Sequence, residues 1–118
     1  MSPIAWFKVD DGFAWHTKAV RAGNAACGLW VRAGSWSSQQ LTEGHVPAEL
    51  ASALGSKSEV ARLVASGLWV PSGDGFQFHQ FLDRNPTREQ VEDDRRAAAE
   101  RQRRAREAAK LKRAGGAS

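Results

Sequence analysis

The chain's scarcities set its first limits. One cysteine, Cys27, stands among 118 residues. A lone thiol excludes an internal disulfide and a cysteine-rich zinc site, and it fits a reducing compartment. No apolar run approaches the roughly 20 residues of a membrane span. The N-terminus lacks the basic-then-apolar order of a signal peptide, so a cytoplasmic protein is expected. His16, His45 and His79 are widely spaced, with no H-x-x-x-H pair, so no metal ligand set is expected. A nucleophile elbow, a phosphate-cradling glycine loop and paired carboxylates in an apolar setting are all missing. Asp10-Asp11 reads as a solvated turn, and lone histidines beside aromatics read as packing or capping residues. The expectation is a protein that is not an enzyme and holds no cofactor.

What is present is aromatic and, at one end, basic. Five Trp and five Phe suffice for a core without covalent staples. The net charge of +4 is unevenly placed. Up to Asp83, six Lys and Arg stand against seven Asp and Glu; from Arg84 onward, eleven stand against six. The positive excess therefore lies in the tail, and attraction to phosphate is what brings most proteins to DNA.

The stretch from Leu41 to Phe78 organises the rest. It predicts a short strand, two short helices joined by a tight turn, and a hairpin. Pro47 suits the first position of a helix, where its missing N–H costs nothing. Leu50, Ala51 and Leu54 give the first helix an apolar face, and Gly55 is expected to end it in the left-handed conformation. Ser56 and Glu59 form an S-x-x-E capping box, so a second helix begins at Lys57. Val60, Leu63 and Val64 line its inner side and Gly67 stops it. Leu68-Trp69-Val70, the turn Pro71 to Gly75, and Phe76-Gln77-Phe78 then read as two strands.

Upstream, Trp6 to Val9 reads as a short strand or an extended entry, closed by a turn at Asp10-Asp11-Gly12. A short helix is expected from His16 to Ala22, interrupted at Gly23-Asn24, with Asn24 capping a longer one. Ala26, Leu29, Trp30, Ala33 and Trp36 or Ser37 share one face of it, which makes Trp30 a core candidate. Gly34 weakens this helix without stopping it. The same four letters, Gly-Leu-Trp-Val, occur at residues 28–31 and 67–70, read as helix first and strand second. Leu82 to Pro86 reads as a connector. Thr87 and Gln90 make another capping box, and a helix of Ala, Arg, Glu and Gln follows from Arg88 to about Leu111.

Helix, tight turn, helix, hairpin is the order of a winged helix-turn-helix, which the stretch resembles through Glu49-Leu50-Ala51, Leu54-Gly55 and Gly67-Leu68-Trp69-Val70. The chain is also similar to the N-terminal module of phage and actinobacterial replication-initiator, or replisome-organiser, proteins. That similarity rests on Trp6-Phe7-Lys8-Val9-Asp10-Asp11, on the run from Gly28 to Trp36, and on Gly67 to Val70. The resemblance covers the first two-thirds of the chain. It implies a mainly α fold with a small β wing, followed here by a long C-terminal basic helix. The expected layout is a winged-helix domain at 1–83, a basic helix at 84–114 and a disordered tail at 115–118. The implied function is duplex DNA binding, with replication proteins as partners and the nucleoid of a bacterial host as location.

In such a fold the second helix enters the major groove, which puts Lys57, Ser58, Glu59 and Arg62 forward as the reading residues. Arg62 has the planar fork that addresses guanine, and Lys57 is expected on phosphate or guanine. Arg95, Arg96, Arg101, Arg103, Arg104, Arg106, Lys110, Lys112 and Arg113 are the expected phosphate contacts. Val91, Ala98 and Ala105, spaced by seven, offer at most a weak homodimer seam. Two other readings fit the same residues: a transcriptional regulator on this fold, working with transcription proteins, and a protein-interaction module whose tail binds an acidic partner.

Overall fold

The computed structural model describes residues 5–116. Ala5–Arg88 form one compact unit, and the chain from Glu89 on belongs to another. The first boundary therefore falls a few residues beyond the expected 83. The reason is Asn85, whose Oδ1 accepts from the Lys8 backbone N–H at 2.8 Å while its Nδ2 donates to the Phe81 carbonyl at 3.0 Å.

A one-turn 3-10 helix at Phe13–Trp15 precedes helix α1, Thr17–Gln40. His16 caps α1, its Nδ1 accepting from the Lys18 N–H at 3.2 Å. The expected interruption is a kink at Gly23, whose φ of 83° and ψ of 166° are open to glycine and foreign to a helix. The break falls at Gly23, and Asn24 lies within the helix without capping it. Cys27 takes up a carbonyl near the kink, its Sγ donating to the Ala19 oxygen at 3.5 Å.

Strand β1, His45–Pro47, runs straight into helix α2, Ala48–Leu54, with Pro47 as its N-cap residue. Helix α3, Lys57–Ser66, follows after Gly55 and Ser56. Gly55 is extended (φ −152°, ψ 178°) and not left-handed as expected. The chain has only to reach the Ser56 cap, and a side chain at 55 would press on Leu29, the nearest Leu29 carbon lying 2.8 Å from an added Cβ. The capping box is complete: Ser56 Oγ accepts from the Glu59 N–H at 3.1 Å, and Glu59 Oε1 accepts from the Ser56 N–H at 2.6 Å. Gly67 ends α3 with φ 85°, as expected. Replacing Ser56 by Ala should lower stability by about 0.5–2 kcal/mol. Urea titration checks this, and an unchanged midpoint would mean that the cap carries no weight here.

Strands β2, Trp69–Ser72, and β3, Gly75–Phe78, close the hairpin. The sheet is antiparallel in the order β1-β3-β2, with Val46 opposite Phe76 and Trp69 opposite Phe78. The unit is thus mainly helical with a small antiparallel sheet: α2 and α3 form a two-helix pair, and the β2–β3 hairpin, the expected wing, lies beside them. Gly75 is required by close approach, since a Cβ there would lie 2.1 Å from the Val46 carbonyl oxygen. A one-turn helix α4, Phe81–Arg84, replaces the expected connector, entered through Gln80 at φ 55°.

The core of this unit joins Ala22, Ala26, Leu29 and Ala33 of α1 to Val46, Ala51, Leu63, Leu68, Trp69, Phe78 and Phe81. Trp30 is only partly buried. It stacks on Phe13 at 4.4 Å and meets Phe7 edge-on at 4.9 Å, so the expected core tryptophan is a flank, and Trp69 holds the centre. Gly34 has a reason as well: the Phe7 ring lies on it, 2.4 Å from where a Cβ would stand.

Asp10 ties the lead-in to α4. Its Oδ1 accepts from the Gly12 N–H at 3.1 Å and its Oδ2 from Arg84, and the Gly12 bond, then Arg84, hold its carboxyl down at about 2. A carboxyl whose pKa falls on folding stabilises the fold fully above its unfolded value, 3.8, and loses that contribution as pH drops toward about 2. The gap in unfolding free energy between wild type and Asp10→Asn should therefore be widest above pH 4 and close by about pH 2. A gap constant across that window would show that the carboxylate's charge is not what this corner uses.

Helix α5 runs Arg88–Gly116. It continues through Gly115 and Gly116, where a disordered tail is the sequence expectation, because extending a formed helix by a turn costs far less than starting one. Ala117 and Ser118 lie outside the described residues.

Candidate nucleic-acid interface

Helix α3 is amphipathic by spacing. Leu63 and Ser66 are buried, and Val60 and Val64 are packed against the core. The opposite side carries Ser58, Ala61 and Ala65, all exposed, with exposed Lys57 at the N-terminal end. The four expected reading residues do not converge. Lys57 and Ser58 lie on the outward side. Glu59 is committed to the capping box, and its carboxyl is held below the usual range chiefly by the Ser56 N–H and hydroxyl, with Arg32 adding to it. Arg62, though exposed, turns back toward α1, its guanidinium Nη1 lying 3.3 Å from where a Gly23 Cβ would be. A residue three positions from Glu59 shares its flank of the helix, and that flank faces α1.

Ala61 and Ala65 were not legible as site residues, since alanine carries no chemical flag. Their only signal was the i, i+4 spacing opposite Leu63. Together with Lys57 they line an apolar cleft of about 750 Å³ that extends to Pro71 and Phe76 of the wing. Lys57 is the one charged residue in that lining. At the wing tip, exposed Asp74 meets His45 Nε2 at 2.8 Å, so its carboxylate is engaged.

The second group of expected contacts lies on α5. Arg103 donates to both Glu100 and Glu107, which raise its pKa, Glu100 most, and Arg104 reaches Glu100 at 3.2 Å. Arg96 pairs with Asp93. Exposed pairs of this kind contribute little to stability and yield readily to a phosphate. Arg101, Arg106, Lys110, Lys112 and Arg113 are exposed and have no carboxylate partner among the described residues. At about 100° per residue, Arg106, Lys110 and Arg113 fall within about 60° of one another around the helix and form a basic line about 10 Å long at 1.5 Å per residue. Arg95 is half-buried, and its Nε is enclosed without a hydrogen-bond partner among the described residues.

Among the described residues, no group of three or more His, Cys, Asp or Glu is placed to hold a metal, and no helix is long and apolar enough to cross a membrane. No family model, no characterised protein and no solved structure matches the chain.

Proposed function

We propose that the protein binds duplex DNA, holding the phosphate backbone with α5 and presenting α3 to the major groove. The observation that carries this reading is the separation of charge. From Arg95 to Arg113 nine basic residues stand against two acidic ones, while the chain up to Asp83 is close to neutral. A helix with so large an excess of exposed Arg and Lys is suited to a polyanion. The two-helix motif beside a wing supports the same assignment, because its second helix is the element such folds offer to a groove. The sequence pattern shared with replication-initiator modules favours a role at an origin over transcriptional control.

Anisotropy titration of the full chain against a labelled random duplex tests the proposal at several salt concentrations. Reversible binding that weakens steeply as salt rises is the expected result. Absent or salt-independent binding would overturn it.

A further inference from the structure

We infer that the cavity between the lead-in segment, α1 and α4 receives one unpaired base of a single-stranded nucleic acid, with the adjoining phosphate on Lys8 and Lys18. The inference goes beyond the duplex reading, which concerns α5 and α3 alone. Five rings line the cavity: Phe7, Phe13, Trp30, Phe78 and Phe81. Its volume is about 100 Å³. A closed cavity of about 150 Å³ encloses benzene, so this one suits a single flat ring entering from the solvent side.

The rim on that side is basic. Lys8, His16, His79 and Arg84 are exposed there, and half-buried Lys18 joins them. Asp10 is the one carboxylate in the lining, and it is committed to Gly12 and Arg84. Lys8 and Lys18 are left without a carboxylate partner among the described residues. In a stretch where acidic residues slightly outnumber basic ones up to Asp83, that is a local excess. His16 adds a donor: its Nδ1 accepts from the Lys18 N–H at 3.2 Å, so the ring hydrogen stands on Nε2.

The chemistry narrows the occupant. An inorganic anion would leave five rings unfilled, and an uncharged apolar molecule would leave two lysines unmatched. A nucleotide answers both, since every base has a face to stack and a phosphate beside it. The bases of a duplex already stack on one another, so an unpaired one is the base free to enter. Two further tryptophans favour a strand over a lone nucleotide. Trp15, between the lining residues Phe13 and His16, is 89 % exposed, and Trp6, next to Phe7, is 68 % exposed. Both offer faces to neighbouring bases.

The test uses the full chain, at one fixed salt concentration, with three labelled ligands of equal length. These are oligo-dT, an abasic strand carrying the same phosphates, and a random duplex. A stacked base is worth roughly five- to a hundredfold in affinity, so oligo-dT should bind about tenfold tighter than the abasic strand. Trp15→Ala, and separately Lys8→Ala with Lys18→Ala, should each weaken oligo-dT binding about tenfold and leave the duplex unaffected. Equal affinity for oligo-dT and the abasic strand would overturn base capture and leave duplex binding standing. Losses shared equally by the duplex would also overturn it, because these residues would then be general DNA contacts. Free dTMP binding as tightly as oligo-dT would overturn the strand, making the cavity a small-molecule site. Binding of oligo-dT without binding of the duplex would support this inference and sink the duplex reading alone.

Discussion

A chain ending at Arg88 should keep its fold and lose most of its affinity for random duplex DNA. Every core residue from Ala22 to Phe81 lies before that point, as do Asn85 and the contacts it makes to Lys8 and Phe81. What goes is the positive charge of α5. If five of its residues reach phosphates, the slope of log affinity against log salt should become shallower by about 4. Between 50 and 200 mM salt, that slope alone changes affinity by more than a hundredfold. The truncated chain should therefore bind weakly and almost independently of salt. Far-UV circular dichroism and thermal unfolding check the fold, and anisotropy at several salt concentrations checks the binding. An unchanged slope would move the phosphate contacts into residues 5–88.

Trp69→Ala should lower unfolding free energy by about 3–5 kcal/mol, a large share of the 5–15 kcal/mol typical of a domain. Trp69 is 1 % exposed and sits where α3, the wing and the rest of the core meet. Its ring stacks on Phe76 at 5.3 Å and lies 5.7 Å from Phe78 across the β2–β3 pair. Truncation would leave a cavity in a sheet of only three strands. The indole has a weakness of its own, since its buried Nε1 has no hydrogen-bond partner among the described residues. Trp69→Phe, which keeps an aromatic ring and removes the stranded donor, should therefore cost less than half as much. Urea unfolding of both variants measures the two losses. Equal losses would mean that the retained ring volume counts for nothing and that the indole itself sets the value of this position.

The local punctuation was readable because its physics is local. Ser56 and Glu59 lie three residues apart and bond each other's backbone, so the start of α3 follows from four letters. Gly23 and Gly67 announce conformations closed to other residues. The two Gly-Leu-Trp-Val runs separate for the same reason, one continuing a helical period and the other trapped between a stop and a proline. Legibility failed where a partner sits far away in the chain. Arg62 is turned by α1, 39 positions earlier at Gly23, and no helical period reports that. Gly34 reads as a weak helix residue until the Phe7 ring is seen on it. Trp30 is favoured over Trp69 because it continues a helical period, whereas only the assembled sheet shows that Trp69 is the enclosed one. Helix α4 was missed because one turn is too short to show a period.

The buried side of α1 has a consequence for how this protein accommodates change. Ala19, Ala22, Ala26, Ala33, Gly34 and Ser37 are all enclosed, and Leu29 is the single large residue among them. Such a helix contributes contour where others contribute bulk, letting α3 and the Phe7 ring settle close to its backbone. Its vulnerability is therefore the inverse of that of Trp69 or Leu63. At those two positions, loss of volume does the damage; along α1 it is gain, because one added methylene has nowhere to go. Size, more than polarity, is the property that descent must hold constant on this face. Conservative exchanges such as Ala to Val would be rejected there as firmly as a charge is rejected elsewhere.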